Sequence, residues 1–247
     1  MKRPPVQKLL GRFRSLFDYR IRKHERSVFA ENDIAFLHIG KNAGTQIKQC
    51  ADQLKHHGVR IRKFGHNLTL EQVPDHIEYF FSVRDPISRF RSGFYSRKRK
   101  GAPRIYSEWT AHERIAFEKF EDANELAEAL FRPDEKGFDA AMAIKSIFHT
   151  SMQQIDWFHR SAFITHRPPL WIIRQEHLEA DLDMFLRKLG LSLRATDLLS
   201  SDPVKAHSND YGQSPELSSL ARKNLQRWYC QDVQFYQLCE RWIRTHS

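Results

Sequence analysis

Short apolar runs and helical spacings alternate along this chain. The run Ile34-Ala35-Phe36-Leu37-His38-Ile39, bounded by Asn32-Asp33 and Gly40, predicts a buried strand. Thr45 to His57 follows with Ile47, Ala51 and Leu54 on one helical face, and Gly58 ends it. Val59 to Phe64 predicts a second strand, and Glu78 to Val83, rich in aromatic and β-branched residues, a third. Between them Thr69-x-x-Gln72 has the form of a capping box. Asp85-Pro86 predicts a helix start. Helical patterns continue over Glu113–Phe120, Asn124–Phe131 and Phe138–Phe148. Pro169 to Arg174 predicts a strand, and Glu176 to Leu189 a helix capped by Gly190. Residues 200–214 predict a polar loop, from which Ser214-Pro215 opens one final helix reaching toward Cys239. This alternation predicts an α/β fold with a mostly parallel central sheet flanked by helices. One domain over 31–247, preceded by an arm over 1–30, is the economical organisation.

Composition narrows the class. The chain has 247 residues, 40% of them hydrophobic and 28% charged, which is enough for a substantial core and argues against disorder. No stretch approaches a transmembrane helix, and the basic N-terminus lacks the apolar core of a secretory signal, so a cytoplasmic location is expected. Cys50, Cys230 and Cys239 form neither a disulfide framework nor a thiolate metal site, in keeping with a reducing compartment. The net charge of +10 is concentrated. Residues 1–30 and residues 84–104 each carry +7, and the remainder nets −4. Two patches on a mildly acidic body predict anion sites, or one site and one tail, and differ from a uniform nucleic-acid-binding coat. In the arm, Leu9, Leu10, Phe13, Leu16 and Phe17 recur at helical spacing. An arm that packs on the domain or stays mobile is the simpler reading, and peripheral contact with an anionic membrane the sharper one.

Two strand–helix turns carry candidate chemistry. Gly40-Lys41-Asn42-Ala43-Gly44-Thr45 presents backbone N–H groups and a helix N-terminus to an anion, with Lys41 adding charge and Thr45 a hydroxyl. The spacing is not that of a nucleotide-hydrolysing loop, since the lysine precedes the second glycine and threonine, and no acidic Mg²⁺-binding strand follows. Arg84 ends the third strand, and Ser92 lies about two turns into the next helix, a pair suited to a phosphate. Together the turns predict a ligand with two separated anionic groups.

These two segments resemble a known family. HIGKNAGT is similar to the 5′-phosphosulfate loop, and VRDPISRFRSGFY to the 3′-phosphate motif, of sulfotransferases related to the carbohydrate O-sulfotransferases. The second motif agrees at Arg84, Asp85, Pro86, Arg89, Ser92 and Tyr95. The first keeps Lys41, Gly44 and Thr45 but has Gly40, Asn42, Ala43 and Gln46 where the family pattern has Pro, Thr, Gly and Ser. Trp171–Leu178 with Leu189-Gly190-Leu191, and His207, Asn209, Tyr229, Asp232 and Phe235, extend the similarity to about residues 33–240. The resemblance implies a P-loop-like sulfotransferase fold and transfer of a sulfuryl group from 3′-phosphoadenosine 5′-phosphosulfate (PAPS) to a carbohydrate or glycolipid hydroxyl, without a metal. It assigns Lys41 to the leaving oxygen and, with Asn42, Ala43, Gly44 and Thr45, to the 5′-phosphate. Arg84 and Ser92 would hold the 3′-phosphate, and Asn209 a loop over the nucleotide. His66, in a Gly-His pair that related enzymes also carry, would be the general base.

Other features stay open. His149 and Gln153, read as sharing a helix face, either touch the acceptor or form a surface pair. Arg97-Lys98-Arg99-Lys100 either binds an anionic acceptor or is a solvated helix end. Two other classes fit the residues less well. A basic nucleic-acid-binding protein lacks any recognisable module here, and a P-loop-type small-molecule kinase lacks its lysine spacing and its acid.

Overall fold

The computed structural model describes residues 29–103, 105–158, 163–199 and 214–247. Asp33–Leu37 (β1), Arg60–Lys63 (β2), Glu78–Val83 (β3) and Trp171–Arg174 (β4) pair in the order β2-β1-β3-β4, all parallel. The fold is therefore α/β. Central β1 is buried throughout and β3 from Tyr79 onward, as a sheet covered on both faces requires. Edge strand β2 buries only Ile61.

Alternation along β3 sends neighbouring rings to opposite faces. Phe80 meets Phe185 of Leu178–Lys188 on one side, at 4.3 Å between ring centres. Phe81 meets Phe158 and Phe235 on the other, at 4.6 and 6.2 Å. A second apolar cluster lies among helices alone, joining Phe90, Phe94, Phe117, Phe120, Leu126, Ile144 and Tyr229.

Among the described residues the helices are α1 (Gly44–Leu54), α2 (Pro86–Lys98), α3 (Ala111–Lys119), α4 (Ala123–Ala129), α5 (Glu135–Ser146), α6 (Phe163–His166), α7 (Leu178–Lys188), α8 (Ala195–Leu198), α9 (Ser219–Trp228) and α10 (Cys230–His246). Expected starts hold where local chemistry sets them. Asp85 accepts from the Ser88 N–H ahead of Pro86, and Thr69 and Gln72 form their capping box. Gly58 and Gly190 follow their helices at φ 78° and 73°.

Several boundaries differ. His38 and Ile39 lie beyond the β1 ladder. The final helix begins at Ser219 rather than Ser214, because Ser218 caps it while donating to Glu128 and, through its N–H, to Asn124. It also breaks in two at Tyr229, whose hydroxyl is drawn inward to the Thr150 carbonyl (2.7 Å). α5 stops at Ser146, so His149 and Gln153 share no helix face. Among the described residues no helix is long and apolar enough to cross a membrane.

The strand order locates the chemistry. From β1 the chain passes to β2 on one side, then returns to β3 on the other. Successive connections thus diverge between β1 and β3, and parallel sheets bind ligands in the crevice at the carboxyl ends of such a strand pair. The loop after β1 and the turn after β3 border that crevice.

Candidate functional site

The loop Gly40–Ala43 bends tightly. Lys41 and Ala43 hold φ of 72° and 59°, left-handed values that cost a residue with a Cβ roughly 1–3 kcal/mol where nothing else enforces them. The packing around the loop supplies that enforcement. Asn42 is fully buried, its Nδ2 donating to the Ser82 carbonyl (2.8 Å) and to Gln154 Oε1 (2.7 Å). Ser82 Oγ donates in return to the Asn42 carbonyl (2.6 Å). The change of φ sign from Asn42 to Ala43 is the arrangement that turns successive N–H groups to one side. Ala43 then heads α1 without a side-chain cap, and no acidic residue stands in the first turn. The free N–H groups and the positive end of the helix are thereby left for an anion. Gly44 is buried, and Thr45 is half-buried in that same turn.

Cations surround the loop. Arg84 Nε donates to Ser88 Oγ (2.8 Å) and Nη1 to the Lys41 carbonyl (3.3 Å). Arg89, 4% exposed, donates to the carbonyls of Gly40 (3.0 Å) and Met152 (2.8 Å). Burial, reinforced by Arg84, Arg99 and Arg89, pulls the Lys41 ammonium down to about 8. Among the described residues that ammonium has no hydrogen-bond partner. A lysine pressed among arginines in a partly dry crevice is relieved by an anion.

Three imidazoles form the adjoining wall. The rings of His38 and His66 are 4.1 Å apart, and those of His66 and His149 6.1 Å. His149 is brought there by Gly93 of α2, where a Cβ would fall 2.9 Å from the His149 carbonyl oxygen. Desolvation is the main cause that lowers all three, His38 to about 3 and His149 to about 2. His66 Nδ1 lies 3.1 Å from the His38 carbonyl oxygen. A carbonyl only accepts, so Nδ1 carries the proton and Nε2 keeps the lone pair. His66 is therefore a neutral imidazole with a basic nitrogen to offer. Among the described residues no group of three or more His, Cys, Asp or Glu could hold a metal ion.

No protein-family model, curated protein or solved structure matches this chain. The site thus rests on its own geometry, which gathers Lys41, Ala43, Gly44, Thr45, Arg84 and His66 around the crevice. It changes the reading of others. The Asn42 side chain is spent on structure, leaving its backbone for a ligand. Ser88, one turn before Ser92, is the hydroxyl set against Arg84, while Ser92 is 3% exposed inside α2. Gln153 faces α10, accepting from the Asp232 N–H (3.2 Å). His207 and Asn209 lie outside the described residues, as do residues 1–28 of the arm. Arg91 secures the start of the next described segment, reaching the Ser214 carbonyl and Glu216 (both 3.0 Å).

The basic run at the end of α2 is largely used internally. Arg97 forms a buried fork with Glu113 (2.7 and 2.9 Å), and Lys98 Nζ contacts the Glu121 carbonyl. Lys100 pairs with Glu108 (2.8 Å) and lies over the Trp109 ring. Gln154 and Arg89 are functional neighbours that sequence reasoning left without a role. Arg89 at least stood inside a recognised motif, whereas a lone glutamine carries no sequence signal.

Proposed function

We propose that this protein is a PAPS-dependent O-sulfotransferase whose acceptor is a carbohydrate or glycolipid hydroxyl. One observation carries the reading: the turn that bears Lys41 and the turn that bears Arg84 border a single crevice between β1 and β3, and a neutral histidine stands beside them. The donor set suits a nucleotide with separated phosphates, combining backbone N–H groups, a helix N-terminus, Lys41 and Arg84.

When bound, PAPS supplies an activated sulfuryl group bridged to its 5′-phosphate. The uncapped start of α1 and the Gly40–Ala43 backbone hold the 5′ side, and Arg84 the 3′ side. Lys41 neutralises charge that grows on the departing bridge oxygen as the sulfur–oxygen bond breaks. His66 Nε2 takes the acceptor proton as the new oxygen–sulfur bond forms, while Nδ1–H stays on the His38 carbonyl and keeps the ring in the useful tautomer. His38 and His149, held neutral by burial, do not compete for that proton.

Adenosine 3′,5′-bisphosphate should raise the melting temperature of the protein, and Arg84→Ala should abolish the shift. No shift for the wild-type protein would sink the proposal. With labelled PAPS and a panel of hydroxyl acceptors, His66→Ala should reduce turnover roughly 10²–10⁴-fold and leave bisphosphate binding intact.

A further inference from the structure

Sheet pairing between β1 and β3 ends at Leu37 and Phe81. The loop at Asn42 and the turn at Arg84 both lie past that point, so main-chain pairing does not set their separation. Side chains continue the connection. Gln154 opens a single 3₁₀ segment (Gln154–Phe158) and is fully buried. Its Oε1 accepts from Asn42 Nδ2 (2.7 Å) and from the Arg84 N–H (3.0 Å), and its Nε2 donates to the Arg84 carbonyl (2.8 Å). The amide thus pairs with the Arg84 peptide as a neighbouring strand would, while gripping the β1 loop. Ser82 completes the ring through its two bonds with Asn42.

The grip is itself anchored. The first turn of α10 fixes the segment on either side of Gln154, Asp232 Oδ1 accepting from the Ile155 N–H (3.0 Å) and the Asp232 N–H donating to Gln153 Oε1 (3.2 Å). Arg89 binds the same segment at the Met152 carbonyl and the loop at the Gly40 carbonyl.

We infer that Gln154 is a positioning residue that presets the distance between the Gly40–Ala43 cradle and Arg84, and so selects ligands bearing two phosphates at that distance. The inference rests on the bisphosphate reading of the crevice. Two half-sites held at a fixed spacing bind a matching bidentate ligand far better than either half alone, because the second contact forms without a further loss of freedom. If the half-sites move independently, each still binds one phosphate but the joint advantage shrinks.

The test compares adenosine 3′,5′-bisphosphate, adenosine 5′-monophosphate and adenosine 3′-monophosphate by calorimetric titration. Wild-type protein, Gln154→Met and Ser82→Ala are used. The wild type should prefer the bisphosphate over either monophosphate by on the order of 100-fold. Gln154→Met, close in volume but unable to pair, should lose about tenfold of the bisphosphate affinity and keep both monophosphate affinities within about twofold. Ser82→Ala, a smaller change to the same ring, should shift the preference in the same direction, and it decides the matter if Gln154→Met does not fold. A variant series that loses all three ligands in parallel, or that retains the full preference, overturns the inference. A wild type with no bisphosphate preference overturns the bisphosphate reading itself.

Discussion

Gly44 lies directly against the imidazole of His38: a Cβ at Gly44 would fall 2.1 Å from His38 Nε2. The first turn of α1 and the wall of histidines are therefore in contact, with no room for a methyl group. Gly40 differs, since its Cβ would meet His149 and His66 at 3.5 and 3.6 Å, ordinary packing distances. Gly44→Ala should cost about 1–3 kcal/mol of stability and weaken bisphosphate binding. Gly40→Ala should leave the melting temperature nearly unchanged. Thermal melts of the two variants with and without adenosine 3′,5′-bisphosphate check this, and equal behaviour would refute the assigned packing.

The histidine wall makes stability depend on pH. His38 falls from 6.5 to about 3 and His149 from 6.5 to about 2, and His66 is lowered as well. The unfolded chain then binds more protons than the folded one below pH 6.5, so the stability held by neutral imidazoles is lost progressively as pH falls. The melting temperature should drop between neutral pH and about pH 5. His149→Asn should flatten that slope, and an unchanged slope would remove His149 from the account.

Lys41 predicts the opposite limb for ligand binding. Its ammonium is lowered to about 8 in the free protein, and a bound anion restores its charge. Bisphosphate affinity should decline as pH rises above about 8, with proton uptake on binding detectable in buffers of different ionisation enthalpy. Lys41→Met should bind more weakly and lose this dependence.

Buried and exposed ion pairs in the basic run should behave differently. Arg97 and Glu113 are nearly inaccessible, and Glu113 also accepts from the N–H groups of Thr110 and Phe148, the residue before His149. Burial raises the Glu113 carboxyl, but Arg97 and these N–H groups outweigh it and the net direction is down. Glu113→Ala should destabilise by about 3–5 kcal/mol, because it strands a buried guanidinium. Glu108→Ala, which removes the exposed partner of Lys100, should leave the stability nearly unchanged. Chemical denaturation separates the two.

Where neighbours in sequence settle a conformation, the sequence was a sufficient guide. Asp85 caps α2, Gly58 and Gly190 follow their helices, and each of the four predicted strand segments holds one of the parallel strands found among the described residues. It failed where a distant group decides. Ser214-Pro215 has the form of a cap, yet contacts with Asn124 and Glu128 make Ser218 the cap instead. The helical spacing extends to His149 although the helix ends three residues earlier, because nothing nearby signals the turn that Glu113 and Gly93 secure.

The candidate site divides the same way. Lys41, Gly44, Thr45 and Arg84 are legible because a strand–helix turn presents its backbone and the residues just past its strand by local geometry alone. Their convergence is not, since it depends on the order β2-β1-β3-β4 bringing two turns to one crevice. Gln154 acts on residues 112 and 70 positions away, and no local period records a hydrogen bond across such a span. The linear pattern determined which segments hold their own shape; packing determined which side chains meet, because burial obliges each polar group to find its partner wherever the fold has placed it.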